Sequence, residues 1–283
     1  MSKISNSSMD LYIQCPRKWA FKYKENLKGD FTSTPLLFGS AIDAALNYIL
    51  ESIRDKKEWS RNEAEEIFLT KMNEWTGNPL SYFKNEIPEN ANEYANEEEA
   101  VFANLINRGL ACLEVYINDV LPLIDTVLSV QDKFAVQNEE GDVFTGVVDF
   151  IAKLKDGRTV LLDNKTASAK YPKNKVVTSQ QLSLYMDQFP DIKYSGYIVL
   201  IKNPAREKGL THQIMVDEIP EETKANSYKL LDETMKNIKE ERFGCNYKSC
   251  KAFGKQCEYE RACSYNDYTG LVPNKPLDKN PKG

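Results

Sequence analysis

Two apolar runs, Gly146-Val-Val-Asp149-Phe-Ile and Leu161-Leu-Asp163-Asn-Lys165-Thr, decide the fold of this chain. Each run carries an acidic residue within it or at its end, and Gly157 lies in the short turn between them. Alternating apolar runs joined by a glycine-containing turn predict two antiparallel strands, over 144–154 and 159–166. The equivalent ends of these strands meet, so we expect Asp149 and Asp163 to lie close enough to share one cation.

The two carboxylates lie where an unpaired charge is costly, because apolar strands face packed layers. Residues two apart in a strand point to the same face, so Lys165 projects beside Asp163. Carboxylate oxygens hold Mg²⁺ or Mn²⁺, such an ion activates water and a phosphoryl oxygen, and a lysine neutralises developing charge. Asp149, Asp163 and Lys165 are therefore the candidate catalytic centre for phosphodiester hydrolysis. The alternative is a surface Asp–Lys pair on an ordinary strand.

A helix predicted over 179–189 follows the second strand and carries Gln181 and Tyr185. These residues are four apart and share one helix face. That face is expected to look onto the active strands and to contact the backbone of the substrate. The alternative is ordinary helix packing.

Outward from this centre, the pattern predicts an α/β domain with helical and cysteine-rich additions. Helices are expected over 9–25, 37–55, 61–75, 96–120 and 219–242, strands over 127–136, 194–201 and 209–216, and an exposed loop over 77–95. The domain prediction is one nuclease domain over 1–265, with a helical part (1–125), a core (126–218) and a cysteine-bearing segment (219–265), followed by an irregular tail (266–283).

Composition excludes several classes of protein. The chain has 283 residues, and its formal charge of -5 argues against a protein that coats nucleic acid nonspecifically. Its single histidine, His212, excludes a two-histidine mechanism and lies in a strand-like run that favours a structural role. No apolar run approaches the roughly 20 residues that span a bilayer. The sequence therefore predicts a soluble, cytoplasmic protein without a membrane partner.

A basic and aromatic stretch lies near the N-terminus, with Arg17 and Lys18 beside Trp19 and Phe21. Phosphate contacts combined with base stacking suit this mixture. An amphipathic helix with one solvated face explains it equally well.

Four of the six cysteines fall near the C-terminus, with the spacing Cys245-x4-Cys250-x6-Cys257-x5-Cys263. Several thiols in an irregular segment indicate a metal or cluster site. Zinc favours a closely spaced pair, and iron–sulfur clusters use four thiolates at varied spacings. Unligated thiols and zinc remain the alternatives.

Together, Gly-x-x-Asp149, Asp163-x-Lys165-Thr and Gln181-x-x-x-Tyr185 resemble the PD-(D/E)xK nuclease superfamily, in particular its RecB-like exonuclease branch, which includes phage-borne enzymes. The resemblance implies a restriction-endonuclease-like fold, a mixed sheet flanked by helices. It also implies metal binding by Asp43, Asp149 and Asp163. Asp43, in Gly39-Ser-Ala-Ile-Asp43, occupies the place of a histidine ligand in the family, and this departure bears on metal geometry and preference.

The same resemblance implies a 4Fe-4S cluster, because some RecB-like members hold one with one N-terminal and three C-terminal cysteines. The matching residues are Cys15, in Cys15-Pro-Arg-Lys-Trp, and Cys250, Cys257 and Cys263. Cys245 is then the spare thiol, although a swap with Cys250 is open. Ligation would join the two ends of the chain.

The expected function is thus that of a Mg²⁺- or Mn²⁺-dependent DNA exonuclease that prefers single strands, in phage-type DNA processing or recombination. Its partners would be single-stranded DNA or DNA ends, with a recombination or replication protein as a further partner. If phage-encoded, it would act in the host cytoplasm. The alternatives are a noncatalytic DNA-end-binding or recombination-accessory protein that keeps the fold, and a nuclease of the CRISPR-adaptation type.

Overall fold

The computed structural model describes residues 3–75, 77–138, 140–251 and 255–274. The chain divides into two compact units. Unit 1 comprises Met1–Phe31, Val136–Phe144 and Leu230–Gly283, and unit 2 comprises Thr32–Ala135 and Thr145–Lys229. The single nuclease domain over 1–265 stays a prediction.

The described residues form eight α-helices and ten β-strands. The helices are α1 (Asn6–Gln14), α2 (Pro16–Trp19), α3 (Thr34–Arg54), α4 (Arg61–Met72), α5 (Glu97–Val115), α6 (Gln180–Met186), α7 (Glu221–Lys239) and α8 (Glu260–Tyr265). The strands are β1 (Lys3–Ser5), β2 (Leu27–Gly29), β3 (Thr32–Ser33), β4 (Leu80–Ser81), β5 (Ile124–Gln137), β6 (Val143–Leu154), β7 (Thr159–Ala167), β8 (Tyr194–Ile201), β9 (His212–Asp217) and β10 (Leu271–Pro273). The predicted elements from α3 to α7 are confirmed to within a few residues at their ends.

A mixed sheet forms the centre of unit 2. Strand β6 pairs with β5 and with β7, and β7 continues to β8 and then to β9. The β6–β7 and β8–β9 pairs are antiparallel, whereas β7 and β8 are parallel with Asp163 opposite Tyr197. Parallel neighbours need a crossover, and the chain makes it through the loop that follows β7 and through α6. The mixed α/β fold predicted from the sequence is confirmed.

Two long helical segments contribute to the core of unit 2. These are α3 and Glu97–Leu123, which begins with α5, and both are long and apolar enough by length and composition to cross a membrane. The sequence predicts no apolar run of that length. Phe38 and Leu46 of α3 and Leu113 of α5 are fully buried in the core, so packing within unit 2 accounts for much of this apolar character.

Unit 1 joins sequence-distant segments in a small core. Strands β2 and β10 are antiparallel, with Leu271 opposite Gly29. Phe21 is fully buried and stacks on Tyr259 at a ring-centroid distance of 5.1 Å. The Tyr259 hydroxyl donates to the carbonyl of Leu27 at 2.8 Å. These contacts hold the segment after α2 against the cysteine-bearing end of the chain.

The single helix predicted over 9–25 is wrong, because the helix is interrupted at Cys15. Cys15 is extended (φ -162°, ψ 107°), as expected for a residue whose helical conformation clashes with the ring of the following Pro16. The first helix is capped by Ser5, whose hydroxyl accepts from the N–H of Ser8 at 3.3 Å.

Two further expectations need correction. The segment 77–95 is not simply an exposed loop, because it contains β4 and because Glu86 is only 2% exposed. The irregular tail predicted over 266–283 contains β10, which pairs with β2. Residues 275–283 of that tail lie outside the described residues.

Candidate active site

Asp149 and Asp163 face each other across two strands of unit 2. Strands β6 and β7 pair with Phe150 opposite Leu162, and the next residues along this register are Asp149 and Asp163. Opposite residues of an antiparallel pair share a face. The N–H of Asn164 donates to Asp149 Oδ2 at 2.9 Å and fixes that carboxylate.

Asp163 is held by one cation and one amide. Its side chain is 2% exposed, and Lys165 Nζ lies 2.6 Å from its Oδ2. Gln181 of α6 donates from Nε2 to Asp163 Oδ1, also at 2.6 Å. The predicted proximity of Lys165 and Gln181 to this carboxylate is thus present in the structure. The catalytic roles of these residues stay predictions.

Asp43 enters the same site from α3. Asn47, one turn further along the helix, donates to Asp43 Oδ2 at 3.2 Å. Gln131 of β5 donates in turn to Asn47 Oδ1 at 3.3 Å. Gln131 has a φ of 56° within a strand, a conformation that costs a non-glycine residue roughly 1–2 kcal/mol. Strand β5 is therefore locally distorted at Gln131, whose side chain holds Asn47, the partner of Asp43.

Mutual repulsion and burial govern the charges of the site. Burial, the nearby charge of Asp163 and that of Asp43 raise the pKa of Asp149 to about 8, against the opposing effect of Lys165. Burial also raises the pKa values of Asp163 and Asp43, although Lys165 offsets part of each rise. Burial alone would lower the pKa of Lys165, but Asp163 and Asp149 outweigh it and raise that pKa. Three carboxylates thus compete for one ammonium.

A cleft of about 460 Å³ opens onto Asp43, Asp149 and Lys165. One wall is the first half of α3, where Leu36 is 73% exposed at the edge of the cleft. The opposite wall is formed by the strands that carry the charged residues. The lining residues are Pro35, Leu36, Gly39, Ser40, Ile42, Asp43, Leu46, Asp149, Asn164, Lys165, Thr166 and Leu200.

Tyr185 lies beneath the site rather than on its surface. It is 6% exposed, and its ring meets Phe134 edge-on at 5.1 Å. A Cβ at Gly146 would lie 2.3 Å from the Phe134 ring and 2.8 Å from the Tyr185 ring. The glycine of Gly-x-x-Asp149 therefore leaves room for two aromatic rings. Contact of Tyr185 with a substrate stays a prediction.

The residues present fit a divalent cation by their chemistry. In the described residues, no three His, Cys, Asp or Glu side chains are grouped closely enough to hold a metal ion as they stand. Asp43, Asp149 and Asp163 nevertheless supply hard oxygen donors, and each has a raised pKa. A cation among them would relieve the excess negative charge that Lys165 alone leaves.

The predicted cluster cysteines lie in unit 1, although among the described residues no three of their thiols are close enough to hold a metal ion as they stand. The Sγ atoms of Cys245 and Cys263 are 2.9 Å apart, and the N–H of Asn246 approaches Cys15 Sγ at 3.4 Å. Burial together with Cys245, Cys15 and Cys250 raises the pKa of Cys263 to about 12. The fourth predicted ligand adjoins the set through its backbone: the N–H of Cys257 donates to the carbonyl of Cys250 at 2.7 Å. Cys245, considered the spare, lies within the same group.

Two aromatic residues near the N-terminus, Trp19 and Phe21, pack against other side chains of unit 1. Trp19 stacks on Phe243 at 5.6 Å and donates through Nε1 to Ser8 Oγ at 2.8 Å. Phe21 has no exposed surface. These two rings are therefore occupied in packing, which favours the structural interpretation over base stacking.

Sequence patterns missed the supporting residues of the site. Asn47 could have been found, because it lies four residues after Asp43 on one helix face. Asn164 acts on Asp149 through its backbone N–H, which any residue would supply. Gln131 is 84 residues from Asn47, and local sequence carries no signal for that contact.

The family model of the PD-(D/E)XK nuclease superfamily matches residues 3–264. The chain belongs to this superfamily. It is therefore a hydrolytic nuclease by class, and such nucleases generally use divalent metal ions and have DNA as substrate. The restriction-endonuclease-like fold expected from the sequence is confirmed by the mixed sheet flanked by helices.

Three solved structures share distant similarity with the chain. SSO0001 is 13% identical, with a TM-score of 0.30 over 81% of this chain and 86% of that chain. Rai1 of Scheffersomyces stipitis is 13% identical, with a TM-score of 0.22 over 84% and 70% of the two chains. Its complex with (3'-NADP)⁺ and calcium is 11% identical, with a TM-score of 0.22 over the same shares. These likenesses are too weak to carry an argument. No curated protein matches the chain.

Proposed function

We propose that the chain is a metal-dependent DNA exonuclease that prefers single strands, with its catalytic centre at Asp43, Asp149, Asp163 and Lys165. The observation that carries the proposal is the convergence of Asp43, Asp149 and Lys165 on a single open cleft, with the buried Asp163 paired to Lys165 at 2.6 Å. All three carboxyl groups have raised pKa values. An arrangement needed only for stability would not keep like charges together, because each buried carboxylate costs free energy. The exonuclease mode and strand preference rest on the resemblance to RecB-like enzymes.

Each residue has a distinct part in the proposed reaction. Asp43, Asp149 and Asp163 would hold Mg²⁺ or Mn²⁺, which when bound polarises the phosphoryl oxygen and promotes formation of hydroxide. Lys165, about one-third exposed, would orient the attacking water and neutralise charge on the phosphate. Gln181 would keep Asp163 in place by donating to Oδ1.

Cleavage assays test this proposal directly. Linear and circular single-stranded DNA and end-labelled duplex DNA would be incubated with protein and Mn²⁺ or Mg²⁺. We expect linear single strands to be degraded and circles to survive, and Asp163→Ala or Lys165→Ala to reduce the rate about 100-fold or more. Asp156→Ala and Lys229→Ala are matched controls at exposed positions and should cleave normally.

Each contrary result of these assays has a definite meaning. Cleavage of circles would contradict the exonuclease mode. Normal cleavage by the Asp163 and Lys165 variants would contradict the site. DNA binding without cleavage under anaerobic, iron-replete conditions would instead support a noncatalytic DNA-end-binding protein.

We also propose a 4Fe-4S cluster in unit 1, held by Cys15, Cys257, Cys263 and one of Cys250 and Cys245. The nearness of Cys263 to Cys245, and the effect of Cys15 and Cys250 on its pKa, support it. Anaerobically purified protein should contain iron and sulfide and absorb near ~400 nm through thiolate charge transfer. Cys245→Ser and Cys250→Ser would identify the fourth ligand, with Cys112→Ala as a control in unit 2. Stoichiometric zinc in colourless protein would refute the cluster.

A further inference from the structure

The segment from Asn164 to Met186 concentrates positive charge next to the candidate site. It contains no Asp or Glu and four lysines, although the whole chain carries a net charge of -5. One of the four is Lys165. The other three, Lys170, Lys173 and Lys175, lie in the loop over residues 168–178 that joins β7 to α6.

This loop is fastened to unit 2 through its backbone. The N–H of Tyr171 donates to Gln213 Oε1 at 2.9 Å, and Gln213 Nε2 donates to the Tyr171 carbonyl at 3.2 Å. Val176 is 2% exposed and anchors the second half of the loop. The N–H of Thr178 donates to the Asn174 carbonyl at 3.1 Å and closes a turn. The lysines therefore project from a backbone with a defined path.

The loop also lies beside the reacting groups. The ring of Tyr171 meets that of Tyr197 edge-on at 5.8 Å, and the Tyr197 hydroxyl shares a 2.6 Å hydrogen bond with Ser179. The charges of Lys165 and Asp163 both act on the Tyr171 hydroxyl, whose pKa is raised mainly by burial. Lysines one to four residues away from Tyr171 are thus within reach of a strand that passes through the site.

The lysines of the loop have no acidic partners. In the described part of the chain, none of Lys170, Lys173 and Lys175 forms an ion pair, whereas Lys165, Lys202 and Lys224 all do. Lys170 and Lys173 are exposed, and Lys175 lies over the Tyr171 ring at 5.8 Å. Unpaired ammonium groups on a docked loop can meet phosphates without first breaking an ion pair.

We infer that the loop over residues 168–178 binds the phosphate backbone of the DNA strand beside the scissile phosphate, through Lys170 and Lys173. The inference rests on the proposed nuclease function and extends it to substrate binding. Lysine acts on a phosphate as a point charge, so the contact carries no base specificity. It would set affinity and register along the strand.

Binding measurements in EDTA test the loop independently of cleavage. The probe is a fluorescently labelled single-stranded oligonucleotide, and its Kd is measured by anisotropy over a range of salt concentrations. We expect Lys170→Gln/Lys173→Gln to weaken binding about 10-fold or more at low salt. The slope of log K against log salt should shrink by about 1.4, because each phosphate contact on a single strand contributes about 0.7.

Lys153→Gln/Lys229→Gln is the matched control. Both are exposed lysines of unit 2, and the change in net charge is the same. The control should keep the wild-type Kd and salt slope. In cleavage assays the loop variant should raise KM and leave kcat nearly unchanged, because Lys170 and Lys173 are assigned to binding alone.

The outcomes distinguish a failure of the inference about the loop from a failure of the proposed nuclease function. Wild-type protein that neither binds nor cleaves DNA would overturn the proposed function and the loop with it. Wild-type protein that cleaves DNA, with equal salt slopes for the loop variant and the control, would overturn the loop alone. Binding to anionic phospholipid vesicles would be measured for the same variants. If the loop variant loses vesicle binding but keeps the wild-type oligonucleotide affinity, the loop binds a membrane surface, and the inference that it binds DNA is overturned.

Discussion

Asp149 shows at the scale of one residue how the candidate site opposes stability. Its pKa is about 8 in the folded chain, against about 3.9 in an unfolded chain. Between these values the folded state binds more protons than the unfolded state, so the free energy of unfolding falls as pH rises. The stabilisation by the protonated carboxyl is complete below about pH 4 and is lost once the pH passes about 8.

We predict that Asp149→Asn removes this dependence. In EDTA at pH 8 the free energy of unfolding should rise by about 2 kcal/mol or more, since one pKa unit corresponds to about 1.4 kcal/mol. The gain should be smaller at pH 5. Urea unfolding at both pH values measures it, and Mn²⁺ should stabilise the wild type at pH 8 more than the variant. Asp156→Asn, at an exposed carboxyl whose pKa is lowered by Arg158, is the control and should bring no gain. A gain for Asp149→Asn of equal size at both pH values would contradict the prediction.

The same residues show what sequence alone can predict. Asp149, Asp163 and Lys165 could be predicted as a site because the two-residue period of a strand fixes which side chains share a face. Gln181 could be predicted because residues four apart share one face of a helix. The support of Asp43 by Asn47 could be predicted from their spacing in a helix. The contact of Gln131 with Asn47 could not, because Gln131 interrupts the regular strand geometry with its φ of 56°.

At the scale of the elements, Gly146 determines how closely β5, β6 and α6 approach one another. We predict that Gly146→Ala costs about 1–3 kcal/mol, as overpacking commonly does, because the added methyl overlaps the rings of Phe134 and Tyr185. Thermal or urea unfolding measures the loss. The double variant Gly146→Ala/Phe134→Leu should regain part of it by freeing space. Equal losses in the single and double variants would show that Phe134 is not the obstacle.

A buried ion pair connects β8 to the segment before α5. Lys202 Nζ lies 3.9 Å from Glu86 Oε1, with the two side chains 8% and 3% exposed. Glu86 Oε2 also accepts from the hydroxyl of Thr34 and the N–H of Phe83, each at 2.7 Å. Burial lowers the pKa of Lys202. Sequence patterns predicted an exposed loop here, because the partner of Glu86 lies far away along the chain.

We predict that Lys202→Met destabilises the protein by about 3 kcal/mol, because it leaves a buried carboxylate without its cation. Lys202→Met/Glu86→Gln should recover most of this loss, since the amide carries no charge and still accepts from Thr34. Urea unfolding of the wild type, the two single variants and the double variant gives the four free energies of unfolding of a double-mutant cycle. Additive losses would contradict a coupling between the two side chains.

At the scale of the whole molecule, the proposed cluster would act on the free energy of one unit. Ligation of Cys15 with residues near Cys257 closes a loop of most of the chain, and closing so long a loop costs roughly 5 kcal/mol of chain entropy when no crosslink is present. Cys15 and the C-terminal cysteines all belong to unit 1. We therefore predict that removing the iron loosens unit 1 selectively.

Hydrogen exchange on anaerobically purified protein, before and after chelation of iron, measures this loosening. Amides of α1 and of the β2–β10 pair should lose protection by about 10-fold or more, whereas those of β7 and β8 should keep theirs, because the core of unit 2 is formed by its own helices and sheet. Cys15→Ser should reproduce the effect of chelation, and Cys112→Ala should not. Equal loss in both units would assign the cluster a role in the stability of the entire chain, and unchanged protection would show that the hydrophobic contacts of Phe21 and Tyr259 suffice to hold unit 1 together.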